Sequence, residues 1–120
     1  MTKRILLVDD SEIVRAACEH ALTRAGYHVE TRDGIEDMGA RGSSGFALIL
    51  MDVQMPELFG DDVASVLRND RDIHTPIYLF STLPDAELRQ RAEQAGIDGF
   101  IAKGEGTEHL VASVRKILGE

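Results

Sequence analysis

Two short runs, residues 5–8 and 47–51, are apolar at every position, and each is followed at once by aspartate. A strand with one wet face alternates apolar and polar residues, whereas an unbroken apolar strand is covered on both faces. A parallel sheet clad by helices meets that condition, and the rest of the chain supplies the helices. Residues 11–25 place Val14, Ala17, Cys18, Ala21 and Ala25 at helical spacing and stop at Gly26. Residues 27–31 alternate like a half-exposed edge strand. Residues 33–41 read as a weak helix containing Gly39, which is about 1 kcal/mol worse than alanine there. Residues 60–69 predict a helix with Val63, Val66 and Leu67 inward, and residues 77–80 an apolar strand behind Pro76. Residues 85–95 predict a helix entered through Pro84 and ended by Gly96. A short strand at 99–102 follows. A helix at 107–118, with Leu110, Val111, Val114, Ile117 and Leu118 on one side, completes the pattern.

Five strands alternating with five helices predict an α/β fold, a five-stranded parallel sheet with helices on both faces. The most apolar strands belong at the centre, which fits the flavodoxin-like order 2-1-3-4-5. Strand 1 then lies beside strand 3, and Asp9, Asp10 and Asp52 meet at the carboxyl edge of the sheet. That edge is the switch point where such sheets bind ligands. Crowded carboxylates repel one another, and a divalent cation relieves them. An oxygen-lined site suits Mg²⁺, which keeps several waters and takes one or two carboxylates directly. Such an ion invites phosphate. The Gly/Ser-rich residues 39–45 precede a strand rather than opening a helix, so they read as a connector and not as a phosphate-binding loop.

The net charge of −8 opposes nucleic-acid binding, which calls for a basic patch. No apolar stretch approaches the ~20 residues of a membrane helix, and the short run after Arg4 is no secretory signal. Cys18, the single cysteine, has no partner for a disulfide within the chain and lies in a helical stripe. It reads as a core residue of a protein kept in a reducing compartment, the cytoplasm. The histidines His20, His28, His74 and His109 lack metal-site spacing, and Asp61 and Asp62 suit a helix N-terminus. The chain is long enough for one core, so residues 1–120 are expected to be a single domain with no output domain attached.

Taken together, the motifs resemble the receiver domain of two-component response regulators, the CheY-like family, over residues 3–118. Asp9-Asp10-Ser11 closes strand 1, and Asp52-Val53-Gln54-Met55-Pro56 follows strand 3 with Gly60 opening the next helix. Ser81 ends strand 4, and Lys103 stands three residues after Phe100. The resemblance implies that Asp52 is the phosphoacceptor for a histidine kinase. It implies that Asp10 ligates Mg²⁺ directly, Asp9 through water, and Gln54 through its backbone carbonyl. Lys103 and Ser81 would contact the phosphoryl oxygens, and Phe100 would turn inward as Ser81 moves. Output would be a protein contact through the face made by residues 85–95, Phe100 and residues 107–118, with no direct role for nucleic acid or membrane. The domain would be a switch rather than an enzyme in the ordinary sense, its only chemistry being its own phosphorylation and dephosphorylation.

Elementary chemistry agrees with these roles. A carboxylate forms a covalent phosphoryl intermediate when charge is neutralised around it, and a divalent ion plus a lysine does this by positioning and electrostatics. Three positions depart from the family. Gly104 replaces the usual proline and implies a looser loop behind Lys103. Thr82 adds bulk where alanine is usual. Leu83 shares with Gln54 a position that tunes dephosphorylation, and its apolar side chain has no means of orienting an attacking water. Gly104 and Thr82 motivate a second reading, a receiver-fold interaction module that works without phosphorylation. A phosphohydrolase with an aspartyl intermediate is a third, opposed by Gln54 where that class has a second acid. A flavin-binding protein of the same topology lacks its phosphate loop here.

Overall fold

The unbroken apolar runs divide their side chains between two cores. Leu6, Val8, Ile49 and Met51 face one way, together with Ile77 and Leu79, onto Ala64, Leu67, Leu88 and Ala92. Ile5, Leu7, Leu48 and Leu50 face the other way, together with Phe80 and Ile101, onto Cys18, Leu22, Leu110 and Val114. A polar residue in either central run would be buried, which is why neither contains one.

The structure is a computed structural model and describes residues 2–34, 45–55, 59–69 and 74–120. In chain order the elements are β1 (Arg4–Val8), α1 (Glu12–Arg24), β2 (His28–Arg32), β3 (Leu48–Met51), α2 (Gly60–Asn69), β4 (Ile77–Ser81), α3 (Asp85–Ala95), β5 (Gly99–Ala102), a 3₁₀ turn (Lys103–Glu105) and α4 (Gly106–Ile117). The strands are all parallel in the expected order β2-β1-β3-β4-β5. Helices α2 and α3 cover one face and α1 and α4 the other. Four α-helices are present among the described residues, not five. Of the helix expected at 33–41, Asp33 and Gly34 form a bend, and the rest lies outside the described residues, as does most of the expected connector at 39–45. No described helix is long and apolar enough to cross a membrane.

Two helices sit rotated from the faces their spacing predicts. On α1 the buried seam runs through Cys18 and Leu22, and Ala17 is exposed. On α2 the buried residues are Gly60, Ala64 and Leu67, while Val66 is 45% exposed. Small residues at 60 and 64 let the helix approach the sheet closely, and closeness outweighs the burial of one more valine. The loop behind Lys103 takes the form of a 3₁₀ turn, with Gly106 at φ 87° leading into α4.

Candidate functional site

Adjacent parallel strands end together. β1 and β3 run in register from Ile5 opposite Leu48 to Val8 opposite Met51. The next residues, Asp9 and Asp52, therefore leave the sheet side by side, and the Asp52 N–H donates to the Val8 carbonyl at 2.8 Å. One carboxylate oxygen from each of Asp9, Asp10 and Asp52 lies within 4.8 Å of the other two. Asp9 is fully buried and Asp52 is 3% exposed, while Asp10 stands exposed at the mouth.

The surrounding backbone pins these acids. Ser11 caps α1, its Oγ accepting the Val14 N–H at 3.3 Å, which leaves Asp10 free of the capping role open to it in sequence. Asp9 Oδ1 accepts the Ser11 N–H at 2.9 Å, and Arg15 donates to the Asp9 carbonyl at 2.7 Å. The Gln54 N–H donates to Asp52 Oδ1 at 3.3 Å, and Gln54 forms an antiparallel bridge with Phe59.

Lys103 spans the pocket. Its Nζ lies 2.5 Å from Asp9 Oδ2 and 3.3 Å from Asp52 Oδ1. Burial is the main influence on the Asp52 carboxyl and pushes its pKa up to about 6; the Lys103 ammonium pulls it back, and the Asp9 charge and a side-chain hydrogen bond with Asp10 push it further up. Three carboxylates thus face one ammonium. Asp9 Oδ2 is buried and, beyond its ion pair with Lys103, accepts no hydrogen bond of ordinary geometry among the described residues. A hard oxygen donor set with surplus negative charge and an under-satisfied buried oxygen fits a divalent cation of the Mg²⁺ type.

Ser81, buried at the end of β4, stands at the same sheet edge one strand along. Its Oγ accepts the Leu83 N–H at 3.2 Å, so it closes a turn and caps no helix; Pro84 precedes α3 without a side-chain cap. Phe100 pairs with Leu79, two residues short of the Ser81 level, and is half-buried with the Arg89 guanidinium 5.7 Å from its ring centre. The structure therefore gathers Asp9, Asp10, Asp52, Lys103 and the Gln54 backbone, places Ser81 beside them, and leaves Phe100 on the adjoining face. Cys18 is a core residue as expected: burial, aided by nearby Asp9, lifts its thiol to about 11 and keeps it protonated.

Sequence reasoning missed four residues here. Gly60 packs against the Asp52 carbonyl so tightly that a Cβ would lie 1.8 Å from that oxygen. Its only sequence signal was its place opening a helix. Asp61, assigned no role beyond a helix N-terminus, accepts on both carboxylate oxygens from one Arg91 nitrogen, Nη1, at 3.2 and 3.1 Å. Arg91 also holds Glu87 and lies 5.1 Å from the Phe59 ring centre, tying α2 to α3. Phe80 lies beneath Lys103, with Nζ 5.4 Å from its ring centre. No periodicity encodes such long-range pairs.

Residues 5–115 match the family described as the response regulator receiver domain. A gliding motility regulatory protein of Myxococcus xanthus is 39% identical over 118 residues, which span 95% of this chain but 15% of that much longer relative. The polar-differentiation response regulator DivK of Brucella ovis is 27% identical, covering 100% of this chain and 99% of its own length. Among solved structures, the chemotaxis protein CheY4 of Vibrio cholerae superimposes with a TM-score of 0.86 at 28% identity, covering 98% of this chain and 99% of that one.

Proposed function

Because this chain belongs to the response regulator receiver domain family of two-component signalling, we propose that Asp52 accepts a phosphoryl group from a histidine kinase and that the modified domain then engages a protein target. An oxygen of Asp52 attacks the phosphorus of the phosphohistidine donor. A new P–O bond forms, the P–N bond breaks, and the imidazole leaves with the electron pair. Lys103 faces the oxygens of the transferring group as a point charge on a flexible stem. The Ser81 hydroxyl, at the same sheet edge, donates to the phosphoryl group once it is attached. Asp9, Asp10, Asp52 and the Gln54 carbonyl would hold Mg²⁺, which supplies charge neutralisation and orientation. The new charge, roughly −1.5 to −2, favours whichever state brings the Ser81 hydroxyl to it. That state is read out through α3, β5 and α4, with Phe100 as the moving aromatic. The setting proposed is cytoplasmic.

The observation that carries this reading is the burial of Asp52 between two further carboxylates and the Lys103 ammonium. An interaction module that dispensed with phosphorylation would have no use for so much repulsion. Incubation with Mg²⁺ and a small phosphodonor, followed by intact-mass measurement, tests it. One phosphoryl group per wild-type chain is expected, and none for Asp52→Asn or in the presence of a chelator. No gain by the wild type would favour the phosphorylation-independent module. Release of inorganic phosphate over many turnovers would instead indicate an enzyme.

Leu83 sets the lifetime of the modification in this reading. It is half-buried, packs against the α2–α3 core, and offers no group to an attacking water. Leu83→Glu is expected to speed loss of the phosphoryl group by roughly fivefold, the scale of weak base assistance. Equal decay rates in the two proteins would refute the role.

A further inference from the structure

Lys103 opens the 3₁₀ turn, and the residue after it, Gly104, has no side chain to pack against its own. Gly104 and Gly106 flank Glu105, and a Cβ added at Gly104 would meet nothing within 4 Å. The ammonium is nonetheless placed, with its side chain only 14% exposed. Its neighbours are Asp9, Asp52 and the face of Phe80, whose ring centre lies 5.4 Å from Nζ. Phe80 is 3% exposed and anchored in the core shared by α1 and α4. It pairs with Ile101 on β5, two residues before Lys103. We infer that Phe80 is a positioning residue for Lys103, holding the ammonium over its ring so that the N–H donors face the acidic pocket. The inference rests on the role proposed above for Lys103 at the phosphoryl group.

The chemistry separates the ring from the two carboxylates. A carboxylate holds an ammonium by accepting its hydrogen bonds and cancelling its charge, and both acids have other duties in the pocket. An aromatic face attracts a cation through its quadrupole and uses neither the charge nor a directed N–H. Three donors and a full positive charge then remain for phosphoryl oxygens. Desolvation strengthens the attraction, and here both partners are largely out of water.

Two measurements on the full chain test this. In the wild type, the ε-methylene protons of Lys103 should resonate upfield of those of Lys3 and Lys116, shifted by the Phe80 ring current. Phosphorylation by a small phosphodonor at saturating Mg²⁺ should then be about five- to tenfold slower when Phe80 is replaced by a trifluorinated phenylalanine, the rate equivalent of a modest cation–π contact. Fluorination empties the ring face with little change of shape, so the melting temperature should stay near that of the wild type. Phe80→Leu should slow the reaction likewise and abolish the upfield shift. An unshifted Lys103 in the wild type, or a fluorinated variant as fast as the wild type, overturns the inference. A wild type that takes up no phosphoryl group at all overturns the phosphoacceptor reading, and this inference with it.

Discussion

Gly60→Ala is expected to destabilise the protein by about 3 kcal/mol or more, lowering its melting temperature by about 10 °C. The added Cβ would lie 1.8 Å from the Asp52 carbonyl oxygen, 2.7 Å from its carbonyl carbon and 2.8 Å from Met51 Cγ. Two of these atoms are backbone at the end of a central strand, and the third belongs to a fully buried side chain. None yields without moving β3 away from α2. The same displacement carries the Asp52 carboxylate with it, so phosphoryl acceptance should fall even at temperatures where the variant is folded. Gly104→Ala is the matched control. It meets no neighbour within 4 Å, so a change within about 0.5 kcal/mol is expected. Thermal melts of both variants decide the matter; a Gly60→Ala protein melting within 2 °C of the wild type (~0.5 kcal/mol) would show that α2 is not seated on the Asp52 carbonyl.

Asp52→Asn is expected to stabilise the protein in metal-free buffer at neutral pH by about 2–3 kcal/mol. The sign follows from the direction of the shift. The folded-state pKa of Asp52 is raised, mainly by burial, from the ordinary 3.8 to about 6. The folded state therefore binds a proton that the unfolded chain has released. Stability from this group is fully present below about pH 4 and is lost as pH rises through about 6. Asparagine removes the ionisation, so its advantage should be absent at pH 3.5, grow between pH 4 and 6, and level off above. Lys103 keeps its nearer partner, Asp9, in the variant, so little attraction is given up. Saturating Mg²⁺ should shrink the difference, since it binds the wild-type carboxylates more tightly and stabilises the folded state by mass action. Urea unfolding across this pH range, with and without Mg²⁺, measures the effect. A variant less stable than the wild type at pH 7.5 without metal would mean that the Lys103–Asp52 pair outweighs the burial of charge.

The two predictions describe one arrangement from opposite sides. The absence of a Cβ at Gly60 lets α2 seat closely on the Asp52 main chain, and burial raises the free energy of the charged Asp52 side chain. In the function proposed above, cation and phosphoryl group would relieve that buried charge, giving phosphorylation a differential interaction with which to shift a conformational equilibrium.

Much of this molecule was legible before any coordinates. Hydrophobic period is a local property, and so the apolar runs at 5–8 and 47–51, the helical stripes and the glycine stops placed the strands and most of the helices. Parallel topology follows from the alternation of strands and helices, and it sends the residues after β1 and β3 to one edge. Asp9, Asp10 and Asp52 could therefore be placed together from one dimension of information. What the sequence left undecided depends on distances between residues far apart in the chain. Which side of α2 faces the sheet was settled by how close Gly60 and Ala64 allow it to come, against the pull of Val66. The Asp61–Arg91–Phe59 tie and the Phe80 ring beneath Lys103 join residues on different elements, and no repeat in either partner announces them. The raised pKa of Asp52 is likewise a property of enclosure, since a carboxylate is ordinary until the surrounding structure removes its water.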